Sequence, residues 1–182
     1  TDIDMGNENI ARKRIRKLAA GMVIPEDGKN SHFSESAETL IAGTIEAVKL
    51  LEDANNHTLT FVRQKILGNV QLNNEDKPAE DDQGEIETGF ARLLKYLSNE
   101  RLPKDGHAAE AVAVLDEVLG SDEAGSFRTT LSRNLKWMID LDMQAHLVPS
   151  GFSLWRAAQE GWTVYLVLNP DDISDFRNWL RM

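Results

Sequence analysis

Two stretches hold the densest ionic chemistry in this sequence. Arg12-Lys13-Arg14-Ile15-Arg16-Lys17 places five cations in six residues. Lys and Arg at that density either contact phosphates and carboxylates or form the solvated back of a helix whose other face is buried. The second stretch, residues 72–87, carries Glu75, Asp76, Glu80, Asp81 and Asp82 among other polar residues and almost nothing apolar. Such a composition buries too little surface to offset the entropy of ordering, so it predicts an exposed, flexible acidic loop able to meet a basic partner. Charge alone therefore selects Arg12, Lys13, Arg14, Arg16 and Lys17, with Glu75, Asp76, Glu80, Asp81 and Asp82, as candidate partner-binding residues. The aspartates lack the ligand spacing of an EF-hand calcium loop.

Catalytic constellations are harder to assemble. The chain has no Cys, which removes thiolate nucleophiles, disulfides and thiolate metal sites. It contains no Gly-x-x-x-x-Gly-Lys-Ser/Thr phosphate loop, no Gly-x-Ser-x-Gly elbow, no zinc spacing and no pair of carboxylates placed for acid and base work. His32 is the one conceivable base, but no Asp or second His stands at a matching interval. Glu35 and Glu38 beside it are explained by the positive end of a helix dipole. We expect no catalytic residue, no cofactor and no metal.

Bulk properties narrow the partners. The chain has 182 residues, with 20 basic and 30 acidic, for a formal charge of −10. That balance argues against a general nucleic-acid-coating surface, although local patches remain open. No apolar run approaches the roughly 20 residues of a membrane helix, and we expect no signal peptide. The sequence predicts no membrane contact by the segment itself.

The elements that would position these groups are helices. Asn9 is placed to cap the first, with Ile10, Ala11, Ile15, Leu18, Ala19 and Met22 on one face and Gly21 and Pro25 at its end. A long second helix starts at Ser31 or Ser34 and runs to about Asp53. Its small residues Ala37, Ala42 and Gly43 would admit a close neighbour, which makes it the expected centre of a bundle. Thr58 caps a third helix carrying Leu59, Val62, Ile66 and Leu67, closed by Gly68. A fourth spans about Glu85 to Asn99 and is broken at Leu102-Pro103; a fifth spans Asp105 to Leu119. The sixth, capped by Ser121 or Asp122, reaches about Leu141 and buries Phe127, Leu131, Leu135, Met138 and Ile139.

The only strong strand signal is Trp162-Thr-Val-Tyr-Leu-Val-Leu168, bounded by Gly161 and Asn169-Pro170 and apolar at nearly every position, as in a strand covered on both faces. One such strand needs neighbours for its hydrogen bonds. Asp171 and Asp172 can cap a last helix bearing Ile173, Phe176, Trp179 and Leu180. The chain opens without an initiator Met and stops at Arg181-Met182 with that apolar face still running. We therefore expect a segment of a longer polypeptide. All four tryptophans, at 137, 155, 162 and 179, fall in the last quarter. They could stack bases beside positive charge, but the acids interspersed with Arg156, Arg177 and Arg181 favour packing against another domain.

At this point the chain resembles a known family. Leu135-Lys-Trp-Met-Ile-Asp140, the Phe152-Ser-Leu turn, Thr163-Val-Tyr-Leu-Val-Leu-Asn-Pro170 and Phe176-Arg-Asn-Trp-Leu-Arg181 are similar to the middle of conjugative type IV secretion coupling proteins. Earlier, His32-Phe-Ser-Glu-Ser-Ala-Glu-Thr-Leu-Ile-Ala-Gly43 resembles the helix that opens that family's all-α domain, with Ser34 where the family usually has Trp and Glu38 where it often has Arg. The two matches stand in the family's order. The resemblance implies the all-α substrate-recognition domain of a membrane-anchored, hexameric ATPase at the cytoplasmic face of the bacterial inner membrane. The phosphate loop and the Asp-Glu strand of that ATPase would lie outside this segment, so the segment itself would not be an enzyme. Implied partners are relaxosome or secreted substrate proteins, and DNA.

The combined expectation is a mainly α protein, a six- to eight-helix bundle with one short β-strand, 162–168, belonging to an adjoining nucleotide-binding domain. Residues 1–30 form an opening segment with the basic helix, 31–148 the bundle including the acidic loop 72–87, and 149–182 the return segment. The alternative is a free-standing helical adaptor or regulatory protein.

Overall fold

A computed structural model describes residues 3, 5–25, 31–67, 89–119, 121, 123–139, 154–163 and 165. Among them the chain is mainly helical, with seven α-helices, two short 3-10 helices and no strand. The helices are α1 (Glu8–Met22), α2 (Ser31–Leu51), α3 (Leu59–Leu67), α4 (Gly89–Leu97), α5 (His107–Leu119), α6 (Ala124–Asn134) and α7 (Leu154–Gln159).

The bundle is built around α2. Every residue from Leu40 to Val48 is buried, which is the pattern of a helix surrounded by neighbours rather than one resting on a single wall. Helices α1, α3, α4, α5 and α6 all pack against it, and α5 does so most extensively. The small residues make this possible. A Cβ added to Gly43 would lie 2.4 Å from Ala111 Cβ and 2.6 Å from the His107 carbonyl oxygen, so the α2 and α5 backbones meet at a distance that only glycine permits.

Helix α1 lays Ala11, Ile15, Ala19 and Met22 into the core at intervals of four, four and three. Its cap is Asn7 rather than Asn9: the Asn7 side chain accepts from the Ile10 N–H at 3.3 Å, and its carbonyl accepts from Ala11 at 2.9 Å. The earlier start puts Ala11 inside and leaves Ile10 48% exposed. Gly21 does not end the helix; it is buried within it, and the chain turns extended at Val23. Beyond it the Ile24 N–H donates to Asn134 Oδ1 at 2.9 Å, tying the exit of α1 to the end of α6.

Thr58 caps α3 as anticipated, its hydroxyl accepting from Phe61 N–H at 3.1 Å. The cap of α6 differs. Its N-cap position is Glu123 with no side-chain cap bond, while Ser121 acts one turn out, donating to the Val118 carbonyl at 3.0 Å and accepting from Glu123 N–H at 3.2 Å. Helix α6 also stops earlier than its apolar spacing suggests, at Asn134, and a 3-10 helix follows over Lys136–Ile139. With three residues per turn, Lys136 and Ile139 eclipse each other and Leu135 eclipses Met138. Hence Leu135 and Met138 are buried with Trp137, whereas Ile139 is 50% exposed.

Helix α7 ends in a Schellman turn: Gly161 has φ +72° and the Trp162 N–H donates to the Ala157 carbonyl at 2.8 Å. Of the expected strand 162–168, Trp162, Thr163 and Tyr165 are described; they are not in a strand, and Trp162 and Tyr165 are exposed. Its other positions and the expected last helix lie outside the described residues.

A half-buried cluster joins α2, α3 and α4. Lys65 Nζ is 3.0 Å from Glu52 Oε1 and 4.2 Å from the Tyr96 ring centroid. Burial first, and the Glu52 carboxylate second, push the Tyr96 phenol pKa up. Its buried hydroxyl makes no well-formed hydrogen bond among the described residues but lies close enough to the Glu52 carboxylate to feel it, so little of its desolvation is repaid. Tyr96→Phe is therefore expected to change unfolding free energy by no more than about 0.5 kcal/mol, or to stabilise slightly. Urea titration checks this; a loss above about 1.5 kcal/mol would show that the hydroxyl is bonded after all.

Candidate functional site

The five-cation run lies on α1, but the fold divides it. Arg12 is half-buried and structural. Its Nη2 lies 2.6 Å from Glu8 Oε1 and 3.1 Å from Asp105 Oδ1, and its Nη1 donates to the Asp105 carbonyl at 3.1 Å. The side-chain hydrogen bond to Asp105 raises the guanidinium pKa and, reciprocally, lowers that of the Asp105 carboxyl. A depressed folded-state pKa means the pair contributes above the ordinary carboxylate range and fades as pH falls through the lowered value. Lys13, Arg16 and Lys17 are exposed, and Arg14 is partly covered. Glu75, Asp76, Glu80, Asp81 and Asp82 lie outside the described residues.

Beneath Arg12 is a buried polar junction at the start of α5. Glu46, in the middle of α2 and 1% exposed, accepts from the Ala108 N–H at 2.8 Å through Oε2. It thus caps α5 from 62 positions earlier in the chain, where the helix N-terminus favours negative charge. Gly106 leaves room for it: a Cβ there would lie 2.5 Å from that same oxygen. His107, also buried, donates from Nε2 to the Arg12 carbonyl at 3.0 Å, and its Nδ1 is 3.3 Å from Glu110 Oε2. The tautomer follows from the carbonyl, which can only accept.

This junction is a clasp between α1, α2 and α5. His32 is exposed, its ring 4.0 Å from that of Phe33 and its Nε2 3.6 Å from Glu123 Oε2. Among the described residues no three His, Asp or Glu side chains gather as metal ligands, and no helix is long and apolar enough to cross a membrane. An open, mainly apolar depression of 230 Å3 lies between α3, α4 and α6, with Phe90, Leu119 and Arg128 among its lining residues.

Sequence reasoning passed over Glu46 and His107. The signal for Glu46 was present: it is the only charged residue between Glu38 and Lys49, inside the run Leu40-Ile-Ala-Gly-Thr-Ile-Glu-Ala-Val48. A carboxylate so enclosed needs a donor, and a helix N-terminus supplies one. Also passed over was the outer side of α6, where Ser126, Arg128, Thr129, Ser132, Arg133 and Lys136 are exposed and no acid occurs from Ala124 to Ile139.

In comparisons with known proteins, no family model, no curated protein and no solved structure matches the chain.

Proposed function

We propose that the chain is the all-α substrate-recognition and docking domain of a type IV secretion coupling protein, recruiting relaxosome or secreted proteins, or DNA, to the secretion channel. The observation that carries this reading is the place of α2. The segment opening on His32-Phe33, which bears the earlier of the two resemblances, is the helix around which the others pack. In the proposed parent, residues 149–182 return through a strand at 162–168 to the nucleotide-binding domain, and the parent is a hexamer anchored at the inner membrane. The catalytic motifs belong to that other domain, so the chain by itself neither binds nor hydrolyses ATP.

The test is to read the source gene on both sides of this segment. A Gly-x-x-x-x-Gly-Lys-Ser/Thr loop upstream and an apolar strand ending in Asp-Glu downstream are the expected finding. Their absence within about two domain lengths on either side would overturn the reading. ATP turnover by the purified 182-residue chain would do the same.

A further inference from the structure

One apolar surface of the bundle is left open. The depression of 230 Å3 between α3, α4 and α6 is lined by Ile66 and Leu67 at the end of α3, Phe90 at the start of α4, Leu119 at the end of α5, and Gly125 and Arg128 of α6. The core sets its walls. Ile66 is buried, and the Phe90 ring lies 6.0 Å from that of fully buried Phe127, which holds α4 against α6. Leu119 is nonetheless 38% exposed. Apolar surface from several elements thus meets here and remains in water, where covering it is favourable.

Two features of α6 separate this depression from an accidental gap. A Cβ added to Gly125 would meet nothing within 4 Å, and Gly125 does not share the positive φ of Gly161. Neither packing nor backbone conformation therefore asks for glycine there, although alanine makes the better helix. What the missing side chain does is leave the depression open. About one turn further along α6, exposed Arg128 stands at the same depression. Its side chain has no ion pair or hydrogen bond among the described residues, and no acid occurs from Ala124 to Ile139.

From this arrangement we infer that the depression takes one or two apolar side chains of a protein segment that carries a carboxylate about one helical turn away, the carboxylate meeting Arg128. Size selects the occupant. The volume of 230 Å3 exceeds the ~150 Å3 that encloses a benzene ring and falls short of the roughly 300–1,000 Å3 of sites that bury drug-sized ligands. It therefore matches anchor side chains rather than a whole small molecule. Charge selects the neighbour, because a guanidinium can receive a carboxylate in bidentate fashion. A phosphodiester backbone offers the charge but nothing to fill an apolar depression. Gly125 and Arg128 are three residues apart on one face of α6, a rise of about 4.5 Å, which sets the anchor and the acid three or four positions apart on a helical partner. The inference deepens the docking reading above and rests on it for its biological sense, by naming what the recruited protein presents.

The test uses the 182-residue chain and a displayed library of random peptides of about twelve residues. Enriched peptides are expected to hold Leu, Phe or Trp with Asp or Glu three or four positions away. One such peptide, labelled, is then followed by fluorescence anisotropy. Gly125→Leu, whose side chain fills the depression, is expected to weaken binding at least tenfold, the scale of losing an anchor. Arg128→Glu should weaken it about fivefold, and exchanging the acid of the peptide for Lys should restore binding to that variant while weakening binding to the parent. Lys17→Glu, on α1 and outside the depression, should change affinity less than twofold. Urea unfolding verifies that Gly125→Leu is folded; if it is not, Arg128→Glu with the charge-exchanged peptide decides alone. No enrichment, enriched peptides without an acid, binding to folded Gly125→Leu within twofold of the parent, or failure of the charge exchange to restore binding would overturn the proposal. So would a duplex of about 20 base pairs that loses as much affinity to Gly125→Leu as the peptide does. None of these outcomes bears on the genes flanking the segment, so this proposal and the coupling-protein reading fail separately.

Discussion

Replacing Gly43 by alanine is expected to destabilise the bundle by about 2–4 kcal/mol, although alanine is the better helix former by about 1 kcal/mol. The sign is decided by contact. The new methyl would meet Ala111 Cβ at 2.4 Å and the His107 carbonyl oxygen at 2.6 Å, distances that two heavy atoms do not tolerate. One of the partners is backbone, so no rotamer change relieves it, and α5 must move away from α2 by roughly an ångström along their closest seam. At this chain size the loss corresponds to a fall in Tm of about 5–12 °C. Adding Ala111→Gly should recover part of it, because that removes one clash and leaves the carbonyl. The double-mutant cycle reads the coupling directly. An alanine variant as stable as the parent would mean that the two backbones are not in contact at this seam.

Removing Glu46 is the second large effect. Glu46→Ala should cost about 3 kcal/mol, from an unsatisfied N–H at the start of α5 and the space vacated by the side chain. Part of the loss is offset because a buried charge no longer has to be desolvated. Glu46→Gln keeps the shape and one acceptor oxygen, loses only the interaction of charge with the helix dipole, and should cost about 1 kcal/mol. Equilibrium urea unfolding of the two variants side by side separates capping from charge. If glutamine were as damaging as alanine, the charge itself, facing Arg12 and the α5 terminus, would be the dominant interaction. If neither variant lost stability, the Glu46 to Ala108 bond would have no energetic standing.

Both residues show what the sequence made legible. The helices could be read because core positions recur at three and four, and Ala37, Ala42 and Gly43 announced a close crossing in α2 before any partner was known. What could not be read was the partner. Nothing local says that Gly43 faces Ala111, or that Glu46 serves a helix 62 positions later; those depend on how α2 and α5 cross. The ends of helices failed for a related reason. Asn7 and Asn9 are equally good caps, and the choice falls to the packing of small Ala11, which lets α1 lie close where Ile10 would hold it off. At the end of α6 the spacing continues smoothly through Leu135, Met138 and Ile139, yet the helix tightens after Asn134, whose buried amide is claimed by Ile24 and by the Thr130 carbonyl at 3.0 Å. The basic run of α1 was visible as charge, but its division into the structural Arg12 and the exposed Lys13, Arg16 and Lys17 required Asp105, far away in the chain.

Asn134 also sets a thermodynamic condition on anything that binds nearby. Helix α1 contributes one face to the core and is held at its exit by two hydrogen bonds of Ile24, one to that amide and one from the Ser34 hydroxyl, whereas α2 is enclosed on all sides from Leu40 to Val48. Local opening of α1 therefore costs less than opening of α2. A ligand that touches both helices binds only the closed form, so its free energy is shared between recognition and closure. At a hundredfold excess over its Kd it would deepen the closed state by about 2.7 kcal/mol, making the docked protein stiffer at one end than the free one.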